Sequence, residues 1–204
     1  MHPVYPFLES WCRRQSLSHS VDLVTDLSGL SGGEILFLIS CSEIIGPEIR
    51  ALYKVSLVIH ASDLPAGRGW SPLVWQILEG KKDVAVSLLE AADPVDSGPI
   101  WKKAWLHFTG TELYDELNFS LFSVEIELMD FAVENFEKVE PVPQVLEGAS
   151  WYPRRRPEDS KLDPDRSFSQ QFDLLRVSDP NRYPAYFECR GEVYEVLIRR
   201  RKKS

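Results

Sequence analysis

Apolar positions along the chain follow two spacings. Three short runs, Val21–Val24, Glu34–Ser40 and Val55–Ile59, are nearly uninterrupted, and a fourth, Val84–Leu89, alternates more. Runs of this length, bounded by Gly, Pro and Ser, predict buried strands of a parallel sheet covered on both faces. Between them, Phe7–Gln15, Pro47–Tyr53 and Ser71–Leu78 predict helices, the last two with a proline near the first turn. Alternating strands and helices predict an open α/β fold. The longest helix is expected from about Thr111 to Phe136. Leu113, Leu117, Leu121, Val124, Leu128 and Phe131 form one apolar stripe, and Phe122, Ile126, Met129, Val133 and Phe136 a second. Two stripes predict a core helix buried on two sides. Thr109 with Glu112, or Thr111 itself, is expected to cap it.

After Pro141 the texture changes. Prolines 141, 143, 153, 157 and 164 lie in a polar stretch that reads as an ordered loop crossing to a small C-terminal unit. There Ser169–Val177 predicts a helix, and Ala185–Cys189 with Val193–Ile198 flank Arg190-Gly191 as a hairpin. The expected division is therefore 1–140 and 141–204.

Composition narrows the function classes. The 204 residues are 44% hydrophobic and 26% charged, with a net charge of −8. This suits one globular domain with a small appendage, and the acidic balance disfavours general nucleic-acid binding. The basic run Arg199–Lys203 reads as a solvated tail. Cys12, Cys41 and Cys189 are scattered and show no CxxC spacing, so no metal site is expected and the usage suits a reducing cytoplasm. No apolar run is long enough to cross a membrane and no signal peptide is visible.

Two segments carry candidate chemistry. In the first, 57–72, a strand ends in His60, a Gly-rich turn follows and a helix begins. Ligands of open α/β sheets bind beyond the carboxyl ends of the strands, which places His60 where chemistry occurs. A lone histidine there also reads as a core residue satisfied by hydrogen bonds. The second segment, 90–100, follows the next strand and contains Asp96-Ser97-Gly98. If the two strands are parallel, this loop emerges at the same edge as His60. Asp96 can then orient the imidazole, although by itself it also fits an Asx turn.

Together these segments resemble the folate-dependent formyltransferases, the group that includes the methionyl-tRNA, glycinamide-ribonucleotide and sugar-amine enzymes. The family pattern is a strand ending Asn-x-His, a Ser-Leu-Leu-Pro-like turn with Arg-Gly, and later Asp-x-Gly. Here His60, Ser62, Leu64-Pro65, Arg68-Gly69, Ser71-Pro72 and Asp96-Ser97-Gly98 match. Tyr152-Pro153-Arg154-Arg155, Pro157-Glu158-Asp159 and the stretch from Leu174 to Arg182 further resemble a short bacterial subgroup of sugar N-formyltransferases. The likeness extends over nearly the whole chain.

The resemblance implies a Rossmann-like open, mostly parallel sheet with helices on both faces, plus a small C-terminal helix-and-hairpin unit. Relatives begin with a strand before the His-Pro segment. Here Met1 directly precedes His2-Pro3, so the first strand is expected to be missing. The implied co-substrate is N10-formyltetrahydrofolate, with no metal. His60 would stabilise the oxyanion formed when an amine attacks the formyl carbon, and Asp96 would orient His60 and help relay the proton. Pterin contacts would fall on Glu43, Ile44 and Ile45 and on the Asp93–Asp96 loop, including Val95. Arg68, Trp70, Tyr152 and Arg154 are implied at the acceptor, with Arg154, Arg155 and Arg156 suited to a nucleotide diphosphate. The arginine run also fits a solvated loop beside Glu158, Asp159 and Asp163. Val58 stands where the family has its asparagine and cannot donate a hydrogen bond, so Ser42 or a backbone N–H is expected to replace it.

The implied acceptor is a small molecule, a nucleotide-linked amino sugar of surface polysaccharide biosynthesis, in a cytoplasmic enzyme without nucleic-acid or membrane partners. Some sugar-amine relatives are dimers, which makes a homodimer the corresponding assembly. Two alternatives stay open. One is a formyltransferase for another amine such as glycinamide ribonucleotide. The other is a folate- or nucleotide-binding remnant.

Overall fold

A computed structural model describes residues 2–145 and 147–201. Met1, and Lys202 and Lys203 of the C-terminal basic run, lie outside the described residues. The elements are α1 (Tyr5–Gln15), β1 (Gly33–Leu38), α2 (Pro47–Arg50), β2 (Tyr53–His60), β3 (Arg68–Gly69), α3 (Pro72–Leu78), β4 (Asp83–Glu90) and β5 (Ile100–His107). They continue with α4 (Tyr114–Asn135), β6 (Trp151–Tyr152), α5 (Phe172–Val177), β7 (Ala185–Cys189) and β8 (Glu192–Val196).

The central sheet has the order β1-β2-β4-β5. β1 and β2 pair in parallel, whereas β2/β4 and β4/β5 are antiparallel. The α/β class holds, with the sheet mixed rather than parallel throughout. The apolar runs could not distinguish these cases, because a strand buried on both faces reads as one continuous run whichever way its neighbour points. β5 is a strand that the hydrophobic pattern did not announce. Lys102 and Lys103 interrupt its apolar residues, and pairing to β4 along nearly its whole length supplies what local pattern lacks.

The expected strand Val21–Val24 is not one. The segment has no ladder partner among the described residues. Val21 and Leu23 instead join a cluster with Leu8 and Trp11 of α1 and Phe122 and Met129 of α4, so the apolar run records packing without pairing. Nor does any described strand pair with the outer edge of β1.

α4 makes the main core. Leu117, Leu128 and Ala132 bury against Leu57, Val84, Val86, Leu88 and Leu106. Each fully buried side chain of this kind contributes about 1.5–3 kcal/mol. The helix begins near the expected point, but its N-terminus is held by Glu116, which accepts from the Leu113 N–H at 2.9 Å. Glu112 gathers the amides of Thr109, Gly110 and Thr111 just before it. Arg200 of the basic run is exposed, as expected, but also donates to Glu116 and to the Thr111 carbonyl at the same helix start. Over the opposite face of the sheet, around Ser87 and Lys103, the connection after β2 takes a helix's place. Ser87 Oγ donates to the Ser62 carbonyl at 2.7 Å and Lys103 Nζ to the Leu64 carbonyl at 2.8 Å.

The C-terminal hairpin forms as expected, β7 against β8, over a small core of Leu162, Leu175 and Ala185. The polar stretch after Pro141 returns to the sheet first: Val142 bridges Ile100, and β6 pairs in parallel with β3.

The connection 91–99 between β4 and β5 is tight because Gly98 packs on the strand it leaves. A Cβ at Gly98 would stand 1.9 Å from the Glu90 carbonyl oxygen. Gly98→Ala must therefore displace backbone, and a loss of about 2 kcal/mol or more is expected in a urea unfolding titration. A change below about 0.5 kcal/mol would show that the loop tolerates the shift.

Candidate active site

His60 ends β2 and is buried, 6% exposed. Its Nε2 lies 2.8 Å from the Gly67 carbonyl oxygen. A carbonyl only accepts, which assigns the Nε2 proton. Nδ1 then faces Asp96 Oδ1 at 3.6 Å. That separation is longer than a hydrogen bond, so the Nδ1 edge is not fixed by the protein.

Asp96 reaches His60 by a route other than the expected parallel strand ends. β4 runs antiparallel to β2 and its last residue, Glu90, pairs with Leu57. The connection 91–99 must fold back toward the end of β2. Asp96 sits in the left-handed region at φ 58. That conformation costs a non-glycine residue of order 1 kcal/mol and persists only where the surroundings hold it. Two groups hold it here: the Gly69 N–H donates to Asp96 Oδ2 at 2.9 Å, and Gln144 Nε2 donates to the Asp96 carbonyl at 2.9 Å. Gln144 Nε2 also donates to the Gly98 carbonyl, while its Oε1 accepts from Arg68. The turn 67–70 is itself tied to 150–152. Gly67 N–H donates to Ser150 Oγ, Arg68 N–H to the Ser150 carbonyl and Trp70 N–H to the Tyr152 carbonyl.

The pair opens on a cavity of about 570 Å³. This falls within the range that holds cofactor-sized ligands. Glu43, Ile44, Ile45 and Val95 of the expected pterin set line it, with Ile45 buried and Ile44 71% exposed. Asp93 is exposed and is not among the lining residues; it forms a charge pair with Arg50, whose guanidinium holds the Asp93 carboxyl below its usual range. Val58 and Ser42 both line the cavity. Of the expected acceptor set, Trp70 and Arg154 line the cavity together, the guanidinium 4.7 Å from the indole centre. Arg68 and Tyr152 have other places. Arg68 is buried with its guanidinium on Gln144, and the Tyr152 hydroxyl donates to Glu79 while its ring stacks on Trp75. Both residues build the wall behind the pair.

Several lining residues had no sequence signal. Arg50 and Arg182 join the run Arg154, Arg155 and Arg156 that the sequence offered, so five arginines line one cavity of an acidic chain. Arg182 and Tyr114 both donate to Asp179, and these bonds outweigh the opposing effect of burial to hold Asp179 below the usual carboxylate range. Burial and the bond to Asp179 push Tyr114 up to about 12. Glu125 of α4 is 5% exposed, its Oε2 has no hydrogen-bond partner, and desolvation pushes its carboxyl up to about 8. Only a fold that brings Leu121, Phe122 and Glu125 over the cavity could show this residue. Among the described residues no group of three His, Cys, Asp or Glu could hold a metal ion, and no helix is long and apolar enough to cross a membrane.

Comparison with known proteins gives this arrangement a context. No family model matches the chain. A methionyl-tRNA formyltransferase of Protochlamydia amoebophila is 28% identical over 173 residues, which is 82% of this chain and 54% of that protein. The methionyl-tRNA formyltransferase from Clostridium thermocellum superposes with a TM-score of 0.84 at 23% identity, covering 98% of this chain and 89% of that one.

The chain is similar in sequence to formyltransferases and has the formyltransferase fold.

The chain spans about half the length of the curated relatives it matches. The same formyltransferase fold is seen in a sugar N-formyltransferase from a Shewanella species, with a TM-score of 0.68, 18% identity, and 84% and 71% of the two chains covered. It also occurs in HypX from Aquifex aeolicus in complex with tetrahydrofolic acid, with a TM-score of 0.66, 20% identity, and 81% and 29% covered.

Glu125 sets a pH dependence for this formyltransferase-like chain. A carboxyl raised to about 8 stays neutral in the folded chain, while the unfolded chain ionises it from about 4.3. Its contribution is therefore neutral at low pH and becomes destabilising as pH rises toward 8, by an amount of order 4–5 kcal/mol. Glu125→Leu should raise the melting temperature far more at pH 8 than at pH 5. An equal shift at both values would show that Glu125 is ionised, or solvated, at both.

Proposed function

We propose that this chain transfers a formyl group from N10-formyltetrahydrofolate to the amino group of a nucleotide-linked amino sugar. The observation that carries this reading is the buried His60–Asp96 pair opening on a cavity with an apolar side and a guanidinium-rich rim. His60 keeps its Nε2 proton on the Gly67 carbonyl, so the Nδ1 edge, protonated in the imidazolium, is the one that would donate to the formyl oxygen as charge develops there. Asp96, fixed by Gly69 and Gln144, balances an imidazolium and takes part in moving the amine's proton. The co-substrate supplies the formyl carbon, and Glu43, Ile44, Ile45 and the 91–96 connection would border its ring. Ile45 and Val58 offer apolar surface, and the backbone of these loops offers the polar groups. Five arginines suit a diphosphate better than an uncharged amine. They favour the sugar-nucleotide acceptor, and the overall charge of −8 speaks against a tRNA. The cytoplasm, where reduced folates and sugar nucleotides meet, is the corresponding location.

Incubation with N10-formyltetrahydrofolate and a panel of nucleotide-linked amino sugars, read by release of tetrahydrofolate, should give amine-dependent turnover. His60→Ala should lower kcat by about 10²-fold or more, and Asp96→Asn by at least about tenfold. Turnover by His60→Ala at the unaltered rate would sink the mechanism. Tetrahydrofolate binding without turnover on any amine would favour the remnant reading instead.

A further inference from the structure

Glu125 is not used by the mechanism above. It projects from the middle of α4 beside Leu121 and Phe122, which line the same cavity as His60. Its Oε2 is buried without a partner. An unsatisfied buried carboxyl of this kind costs about 1–3 kcal/mol, so a group that hydrogen-bonds to it gains the interaction and removes the penalty. The remaining charges around the cavity narrow what that group can be. The five arginines attract phosphate oxygens and repel ammonium. Of the other acidic lining residues, Asp179 is engaged by Arg182 and Tyr114, Asp96 accepts from the Gly69 N–H, and Glu43 is exposed to water, so Glu125 is the one both buried and unpartnered. An acceptor that carries both phosphate and amine therefore needs a carboxyl of its own for the amine, away from the guanidiniums.

We propose that Glu125 binds the amino group of the acceptor, and so selects an amino sugar over the corresponding hydroxyl sugar. The proposal rests on the formyl-transfer reading for its choice of ligand. Glu125 is a neutral acid in the empty chain, so binding of an ammonium releases one proton to solvent and leaves either the ammonium beside the carboxylate or a neutral amine beside the neutral acid. The second state keeps the nitrogen lone pair available, as formyl transfer requires. In a low-dielectric pocket a site built to hydrogen-bond a donor rejects the analogue that lacks it by a large factor.

The test compares two probes that differ at one group, glucosamine 1-phosphate and glucose 1-phosphate, by isothermal titration against the full chain. The wild type should bind the amino sugar at least about tenfold more tightly. Glu125→Gln should bring the ratio toward one while the affinity for glucose 1-phosphate stays within about twofold. That unchanged affinity shows that the variant is folded and its phosphate contacts intact. Glu125→Leu, expected to be more stable than the wild type, should lose the preference as well. A wild type that does not prefer the amino sugar, or a Glu125→Gln that keeps the preference, overturns the proposal. A wild type with the preference but no formyl transfer supports the amine site and overturns the reaction assigned above.

Discussion

Gly67 and Gly69 hold the candidate site together with two backbone groups of opposite kind. The Gly67 carbonyl accepts from His60 Nε2, and the Gly69 N–H donates to Asp96 Oδ2. The imidazole ends β2, the carboxylate sits in the connection 91–99, and the two are not hydrogen-bonded to each other. The turn between them fixes both. Its own position depends on the pairing of β3 with β6, so residues more than eighty positions later decide where His60 and Asp96 point. A Cβ on Gly69 would approach the Tyr152 carbonyl oxygen to 2.4 Å, so the closeness of this pairing demands glycine.

The cavity above this turn shows a division of charge that the chain's composition hides. The protein carries a net charge of −8, yet five arginines line one cavity. Arg50 and Arg182 stand beside carboxylates that orient them, while Arg154 stacks on Trp70. Local cation density on an acidic protein suits a small anionic ligand over a long phosphate backbone, because the surrounding negative field opposes extended contacts. Glu125 is the counterpart on the apolar side. It is a carboxyl kept out of water without a partner, a kind of group that clusters at functional sites.

Much of the fold was legible. The stripes of α4, the runs of β1, β2 and β4 and the Arg190-Gly191 hairpin all reflect burial imposed at a regular spacing, which sequence records directly. Strand direction was not legible, since burial on both faces erases the alternation that distinguishes the cases. Val21–Val24 shows the opposite failure: its pattern is that of a strand, but a strand exists only when a neighbour completes its ladder. β5 lacked the pattern and became a strand because β4 supplied that neighbour.

For the site, the sequence by itself determined the chemical parts. A histidine at the end of a buried run, Asp96 before a Ser-Gly turn and an arginine cluster after Tyr152 can be read without coordinates, because each is a residue type tied to a local context. The tertiary structure alone decided which parts meet. Arg68 and Tyr152 share the motif segments yet turn into the wall, Gln144 comes from a featureless polar loop to brace Asp96, and Glu125 emerges from a helix that reads as core. The physical reason is that the partners of these groups are distant in sequence. A carboxyl on an apolar helix becomes desolvated, and an arginine becomes a wall or a ligand contact, only through the segments the fold brings against it.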